Sequence, residues 1–172
     1  MTSDPATAYS RLHPEVRRWV WNQGWDRLRS VQAEAVDPVL AGSDMVVAAA
    51  TASGKTEAAW LPVCSAIAAA NDHGTSQAGI KALYVGPLKA LINDQALRLE
   101  GLGELTDIPV HRWHGDVAGS SKRAVGKNPD GILLITPESL EALFVREGAK
   151  VATMFAGLRY IVIDELHSFI GI

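Results

Sequence analysis

The feature that most constrains the fold is the segment Ala49–Thr56, which ends in Ser-Gly-Lys-Thr. It follows the apolar run Met45–Ala48 and precedes a run of helix-forming residues, Glu57–Leu61. A strand, a loop of small residues, Gly-Lys-Thr and a helix in this order are typical of a loop whose backbone N–H groups surround phosphates. The sequence therefore predicts a nucleoside triphosphate site, with Lys55 on the phosphates and Thr56 offering its hydroxyl to Mg²⁺.

The loop departs from the broad phosphate-loop pattern at two positions. Ala49 stands where the motif prefers glycine, and Ala52 stands where glycine is common. Both are small, so the backbone can still approach a phosphate closely. The residues predicted to bind the nucleotide here are Ala49, Thr51, Ala52, Ser53, Gly54, Lys55 and Thr56.

The composition is that of an ordinary globular protein, with 48% hydrophobic and 20% charged residues. A length of 172 residues suits one domain. Cys64 is the only cysteine, which excludes an internal disulfide and cysteine-based zinc motifs. The net charge of −3 gives no basic signature of nucleic-acid binding. Without a bilayer-length apolar run or a signal-peptide pattern, we expect a cytoplasmic protein.

Ahead of the phosphate loop, the sequence predicts a tail and two helices. Residues 1–10 have the pattern of a flexible tail, which leaves 11–172 as the folded domain. Pro14 suits the first turn of a helix that ends near Gly24. A second helix is predicted to start near Ser30 and to stop by Gly42.

From residue 44 onward, strand-like and helix-like segments alternate. The predicted strands are Asp44–Ala50, Lys81–Val85, Pro109–Trp113, Gly131–Ile135 and Tyr160–Ile163. The predicted helices are Lys55–Ala70, Leu88–Gly101, Pro137–Arg146 and a short one near Lys150–Phe155, with loops at Asn71–Gln77 and Ala118–Pro129. Runs such as Ile132–Ile135 and Tyr160–Ile163 are apolar on both faces, which is typical of strands buried between two helical layers. This pattern predicts an α/β three-layer sandwich, with a mostly parallel sheet and helices on both faces.

An acidic pair follows the last predicted strand. In open sheets of this kind, ligands bind at the carboxyl ends of the strands. Asp164 and Glu165 stand at such an end. In a chain with a phosphate loop, Asp164 can hold Mg²⁺ through water, and Glu165 can polarise the water that attacks the γ-phosphate.

Asp-Glu-Leu-His at 164–167, together with Ala49–Thr56, resembles the DEAD/DEAH-box branch of the superfamily 2 helicases and translocases. Other segments match the family in its order: Gly24–Gln32 resembles the Q motif, Pro87–Leu91 motif Ia, His114–Asp116 the glycine-containing motif that follows, and Thr136–Leu140 motif Ib. The residues within these motifs are most similar to those of the large-helicase-related (Lhr-type) group. The resemblance implies a first RecA-like motor lobe that uses ATP and Mg²⁺ to act on nucleic acid.

The resemblance implies a role for each matching residue. Gln32 would pair with the N6/N7 edge of adenine, while Trp19, Trp21 and Trp25 compete as the aromatic that stacks on the base. The implied catalytic residues are Lys55, Asp164, Glu165 and His167, and the implied Mg²⁺ ligands are Thr56 and Asp164. His167 would link the nucleotide site to the rest of the motor, or serve a structural role.

The nucleic-acid contacts implied by the resemblance lie in the intermediate motifs. They involve Pro87, Leu88, Lys89, Gly115, Asp116, Thr136, Pro137 and Glu138. Pro87 and Pro137 are placed just inside helix starts, with Thr136 as an N-cap, so free N–H groups there can hold a phosphate. DNA and RNA, single-stranded or duplex, share that chemistry. The alternative is that these segments are simply well-capped helices.

Two other clusters have simpler interpretations. His111, His114 and Asp116 could suggest a metal site, but a fourth ligand is missing. Lys122, Arg123 and Lys127 form a basic cluster that we expect to be a solvated loop.

By resemblance, relatives continue with a Ser-Ala-Thr motif, a strand that inserts between the phosphate-loop strand and the acidic strand, and a second RecA-like lobe with an arginine finger. We therefore expect this chain to hold an incomplete sheet and to be inactive or weak alone. An ATP-dependent helicase is the leading hypothesis. A duplex translocase without strand separation and a non-catalytic nucleotide-binding module are the alternatives.

Overall fold

The computed structural model describes residues 4–50 and 53–169. They form seven α-helices and four β-strands: α1 Pro5–Ser10, α2 Pro14–Asn22, α3 Ser30–Leu40, α4 Lys55–Asp72, β1 Ala82–Val85, α5 Lys89–Thr106, β2 Val110–Trp113, α6 Gly119–Lys127, β3 Ile132–Ile135, α7 Pro137–Met154 and β4 Tyr160–Ile163. A 3-10 turn, Leu166–Phe169, follows β4. In this part of the chain, no helix is long and apolar enough to span a membrane.

The chain divides into two compact units. The first runs to Thr75 and includes residues 104–107, and the second comprises Ser76–Gly103 and the residues from Ile108 onward. In the first unit, α3 packs against α4 and α1 packs against α3. Fully buried side chains such as Trp60, Leu61 and Val36 form its core.

The predicted flexible tail is wrong for residues 5–10. Asp4 caps α1, because its carboxylate accepts a hydrogen bond from the Thr7 N–H at 3.1 Å. Ala8 is buried, and Arg11 just beyond the helix pairs with Asp37 on α3 at 3.0 Å. Local capping and these contacts with α3 are sufficient to order a six-residue helix that its sequence pattern does not reveal.

The second unit is built on a parallel sheet. The strand order is β2-β3-β1-β4, and each neighbouring pair is parallel. Every residue of β1 and β3 is buried. A hydrophobic cluster with members from β1, β3, α6 and α7, among them Leu83, Leu133, Val125 and Leu143, forms the core on one face. The α/β class and the parallel sheet are therefore confirmed.

Two predicted strands behave differently from expectation. Residues 43–50 adopt no regular structure in the part of the chain described, and Val46 is 79% exposed. A strand forms only where neighbouring backbone groups accept its hydrogen bonds, and apolar content alone does not supply them. The strand β4 forms, but Ile161 and Ile163 are 59% and 51% exposed. The prediction that β4 is buried on both faces is thus wrong.

Two helix predictions also need correction. The segment 118–129, predicted as a loop, contains α6, whose buried Val125 joins the hydrophobic cluster. The prediction of α5 stopped five residues early, at Gly101. In both cases, side-chain packing extends a helix beyond its local sequence signal. The two helices predicted between Pro137 and Phe155 are confirmed as the two parts of α7, which meet at the non-helical residue Glu147.

Candidate functional site

The phosphate loop leads directly into α4. Gly54 is the N-cap residue of this helix and has a left-handed conformation, with φ 94°. Lys55 and Thr56 are the first two helical residues. The backbone N–H groups of a first helical turn have no partner within the helix, and the helix dipole adds partial positive charge there. Thr51 and Ala52, which the sequence predicts as nucleotide-binding, lie outside the described residues.

Lys55 lies across the loop that precedes it. Its Nζ donates hydrogen bonds to the carbonyl oxygens of Ala49, at 2.6 Å, and Ala50, at 3.1 Å. The Ser53 hydroxyl is buried and has no hydrogen-bond partner among the described residues. A lysine ammonium, a buried hydroxyl and the N-terminus of α4 form a donor set that fits a phosphate group.

Gln32 lies against the same loop. It is only 2% exposed, and its Oε1 accepts a hydrogen bond from the Arg29 N–H at 2.9 Å. A Cβ atom built on Gly54 would lie 2.6 Å from the Gln32 Nε2. The structure therefore brings Gln32 together with Gly54 at the start of α4.

A cavity of about 570 Å³ borders Gln32. Its lining includes Pro5, Trp25, Arg27, Leu28, Arg29 and Gln32. The sequence left three tryptophans open as base platforms, and only Trp25 lines this cavity. Trp21 is 75% exposed, and Trp19 packs edge-on against Trp25 with ring centroids 5.6 Å apart. Pro5 lies on the helix α1, which the sequence did not predict, and it belongs to no motif that could have identified it as a lining residue of this cavity.

The acidic pair lies at the end of β4, in the second unit. Asp164 Oδ2 accepts a hydrogen bond from the Tyr84 hydroxyl at 2.7 Å, and Asp164 Oδ1 accepts one from the Glu165 N–H at 2.8 Å. Glu165 has a positive φ of 51°, and its carboxylate lies 3.3 Å from Nδ1 of the exposed His167. Both Glu165 and His167 thus face solvent. The sequence analysis did not predict a role for Tyr84. A tyrosine near the carboxyl end of a buried strand was an available signal, because a buried tyrosine hydroxyl usually has a hydrogen-bond partner.

Lys89, Gly115 and Asp116 come together in the second unit. Lys89 Nζ and Asp116 Oδ1 form an ion pair at 2.8 Å between two exposed side chains. The Lys89 hydrogen bond lowers the pKa of the Asp116 carboxyl, and the lysine charge adds to the effect. A Cβ on Gly115 would lie 3.4 Å from Lys89 Nζ. Pro87 and Leu88 precede α5, so the prediction that Pro87 lies inside the helix is wrong by two residues.

His114 is buried beside this ion pair. Its Nε2 lies 3.1 Å from the Asn93 Oδ1, which also accepts from Arg112 at 3.3 Å. Burial lowers the pKa of His114, so the ring is neutral near pH 7 and Nε2 is the donor. Asn93 and Arg112 belong to no motif found in the sequence. Among the described residues, no group of three or more His, Cys, Asp or Glu side chains is arranged to hold a metal ion.

Thr136 and Pro137 occupy the predicted positions at the start of α7, as N-cap and first helical residue. The Thr136 hydroxyl donates to the Ser139 Oγ at 3.0 Å, and no side-chain capping bond forms. Glu138, also predicted as a nucleic-acid residue, places a negative charge in the first turn. Backbone N–H groups are the phosphate donors available here. Lys122, Arg123 and Lys127 lie on α6 and not in a loop.

The parallel sheet, the glycine-capped phosphate loop and the acidic strand end define an α/β domain of the P-loop class. Residues 29–172 match the family model of the DEAD/DEAH box helicases. The chain belongs to this family.

Similar proteins agree with the family assignment. The chain is 31% identical to the ATP-dependent helicase Lhr-Core of Methanothermobacter thermautotrophicus over 171 residues, which cover 93% of this chain and 20% of that protein. Among solved structures, the helicase MrfA bound to DNA and AMPPNP matches with a TM-score of 0.79 at 30% identity, covering 92% of this chain and 22% of that one. The Mycobacterium smegmatis helicase Lhr bound to ssDNA and AMP-PNP matches with a TM-score of 0.76 at 28% identity, covering 94% and 21%. The chain thus spans about a fifth of the length of these relatives.

Proposed function

We propose that residues 11–172 form the first motor lobe of an ATP-dependent helicase, which binds Mg-ATP and the backbone of a nucleic acid. The observation that carries the proposal is the contact of Gln32 with Gly54 beside Lys55. A base-reading amide that lies against Gly54, the residue before a phosphate-binding lysine, fits a nucleotide better than either group alone. We extend this lobe beyond residues 11–172 to include the helix α1, Pro5–Ser10, because Pro5 lines the cavity beside Gln32.

The roles of the loop residues follow from their donors. The Lys55 ammonium exchanges the carbonyl oxygens of Ala49 and Ala50 for the β- and γ-phosphates. The Ser53 hydroxyl and the first N–H groups of α4 donate to the same oxygens. Ala49, Thr51 and Ala52 complete the loop. Gln32 pairs with the adenine edge, and Trp25 provides an aromatic wall for the base.

The acidic residues have roles of their own in the proposal. The residues that would hold Mg²⁺ are Thr56 and, through water, Asp164, and the ion would supply positive charge against the phosphates. Glu165 orients the attacking water and accepts its proton. His167 lies beside the Glu165 carboxylate and orients it. In the intact protein, a second lobe supplies an arginine finger, which is worth roughly a thousandfold or more in rate. Hydrolysis by this chain alone is correspondingly weak.

The nucleic-acid surface uses few charges. Lys89 binds a backbone phosphate after leaving Asp116, and the start of α7 at Thr136, Pro137 and Glu138 offers backbone N–H groups to another. Pro87 and Leu88 set the direction of the chain into α5, and Gly115 lies beside Lys89. These contacts are to phosphates, so the proposed partner is single-stranded DNA or RNA, or a duplex. Support comes from the solved relatives bound to DNA.

Nucleotide titration tests this proposal directly. Binding of a fluorescent ATP analogue is measured for the wild-type chain, Lys55→Ala and the control Lys150→Ala, whose exposed lysine pairs with Glu147 on the same helix. Lys55→Ala is expected to weaken binding at least about tenfold, since it removes a charge-assisted contact, while Lys150→Ala stays at the wild-type value. Equal affinity of wild type and Lys55→Ala would show that Ala49–Thr56 is no phosphate loop.

A second variant addresses hydrolysis in the intact protein. Glu165→Gln removes the proposed general base but keeps the size of the side chain. It should bind ATP normally and hydrolyse it roughly a hundredfold more slowly, so that ATP remains trapped. A wild-type turnover rate for Glu165→Gln would refute the assigned role of Glu165.

A further inference from the structure

Tyr84 occupies an unusual position for a polar group. It is the third residue of β1 and is only 1% exposed. Its ring lies over Gly86, where a Cβ atom would approach the Tyr84 Cε1 to 2.8 Å. Glycine at position 86 is therefore what allows the ring to lie along the strand with its hydroxyl toward the carboxyl end of the sheet.

The register of the sheet explains why the Tyr84 hydroxyl lies beside Asp164. Tyr84 pairs with Val162 on β4, and Asp164 follows two residues later on the same face. The Asp164 N–H donates to the Val85 carbonyl oxygen at 3.0 Å, which fixes the backbone at the strand end. The Tyr84 hydroxyl then reaches Asp164 Oδ2 at 2.7 Å. The contact is thus set by the pairing of two adjacent strands and not by a mobile loop.

The Tyr84 hydroxyl is the donor in this contact, because an ionised carboxylate can only accept. With the Glu165 N–H on Oδ1 at 2.8 Å, each oxygen of the Asp164 carboxylate accepts one fixed bond and keeps a second lone pair.

We propose that Tyr84 is a positioning residue for Asp164, whose hydrogen bond holds the carboxylate in the orientation that receives hydrated Mg²⁺ with the bound nucleotide. This inference rests on the proposed function, because it gives Asp164 the role of a Mg²⁺ ligand. A carboxylate that is already oriented loses less freedom on binding the ion. Groups of this kind behind a metal ligand typically change metal affinity or activity by about 10–100-fold when they are removed.

The test compares two tyrosines of the same sheet in the intact protein. Tyr84→Phe deletes only the hydroxyl that contacts Asp164. Tyr160→Phe is the matched control, since Tyr160 is on β4 and its hydroxyl makes no hydrogen bond within the described residues. Binding of a fluorescent ATP analogue is measured as Mg²⁺ is titrated, and ATP turnover is measured at saturating Mg²⁺.

Tyr84→Phe should raise the half-saturating Mg²⁺ concentration by about tenfold. The KM for Mg-ATP at saturating Mg²⁺ should change less than about twofold, because the phosphate loop is untouched. Tyr160→Phe should match the wild type in both. If Tyr84→Phe and Tyr160→Phe give the same Mg²⁺ dependence, the positioning role is overturned.

A double variant separates positioning from a general effect on folding. If Tyr84 acts through Asp164, Tyr84→Phe should have no further effect on Mg²⁺ dependence in an Asp164→Asn background. The same loss in both backgrounds would overturn the inference. Lys55→Ala distinguishes the two proposals: if it leaves ATP turnover intact, the proposed function fails, whereas loss in Lys55→Ala with no difference between the tyrosine variants rejects the Tyr84 role alone.

Discussion

Gly54 must meet two requirements at once. Its φ of 94° is a conformation that residues with a Cβ rarely adopt, and the space where that Cβ would lie is occupied by the Gln32 amide. Only glycine allows the chain to enter α4 while Gln32 contacts the phosphate loop. One residue therefore couples the geometry of the proposed base site to that of the proposed phosphate site.

Gly54→Ala should lower the free energy of unfolding by about 1–3 kcal/mol, because it combines backbone strain with a steric overlap. It should also weaken nucleotide binding. Gly126→Ala on α6 is the matched control, since its Cβ would meet nothing within 4 Å; there the change should add up to about 1 kcal/mol of stability. Urea denaturation of the two variants measures both effects. Equal stability of the two variants would contradict the role given to Gly54.

His111 makes stability depend on pH. Burial lowers the pKa of His111, while a backbone hydrogen bond of Asp130 and the Asp130 charge raise it by smaller amounts. Because the folded pKa lies below the unfolded value, the unfolded chain binds more protons as the pH falls below about 6.5. The contribution of the neutral His111 to the stability of the folded chain is therefore complete above that pH and is lost on acidification.

Urea unfolding at pH 7.5 and pH 5.5 checks this prediction. The free energy of unfolding should fall between the two pH values, and His111→Gln should make the fall smaller. The exposed His73 on the first unit provides the control, so His73→Gln should leave the pH dependence as in the wild type. A pH dependence that His111→Gln does not alter would contradict the assignment.

At the scale of elements, β3 and β4 have similar sequences and different environments. Leu133 on β3 is fully buried in the hydrophobic cluster, whereas Ile161 on β4 is 59% exposed. Leu133→Ala should cost about 2–5 kcal/mol through lost burial and a cavity. Ile161→Ala should cost less than about 1 kcal/mol. Denaturant melts of both variants test this, and equal losses would mean that β4 is as buried as β3.

The sequence predicted β1, β2, β3 and β4 to within one residue, because their apolar runs are short and bounded by turn residues. It also named Gln32, Gly54, Lys55 and Asp164 as site residues through motif order, and their roles stay predictions. It could not predict that Ile161 is exposed, because burial depends on which helices cover a strand and not on the strand itself. Helices α1 and α6 were missed for a related reason: their ordering comes from tertiary contacts of Ala8 and Val125.

The contact between Tyr84 and Asp164 was beyond sequence reasoning for a different physical reason. The two residues are eighty positions apart, and they meet only because β1 and β4 are neighbours in the sheet. Strand order is a property of the whole topology, and alternation of strands and helices leaves several orders open. The same holds for Asn93 and His114, which lie on α5 and in the segment after β2.

At the scale of the whole molecule, the net charge of −3 leaves little general attraction for a polyanion. Binding of nucleic acid must therefore depend on a few local donors. The exposed Lys89 is one of them and can be removed by substitution. Lys89→Ala should weaken binding of single-stranded DNA and reduce the slope of log affinity against log salt by roughly 0.7, the value for one phosphate contact. Lys150→Ala, which removes the same charge elsewhere, should not change the slope. Identical salt slopes for wild type and Lys89→Ala would exclude Lys89 as a phosphate contact.

ATP turnover of the intact protein, measured as single-stranded DNA or RNA is added, shows whether this chain is the nucleotide-binding lobe of a nucleic-acid motor. Nucleic acid should increase the turnover rate, the increase should fall as salt is raised, and Lys55→Ala should abolish turnover while Lys150→Ala preserves it. A rate that is indifferent to nucleic acid, or that survives in Lys55→Ala, would contradict this assignment.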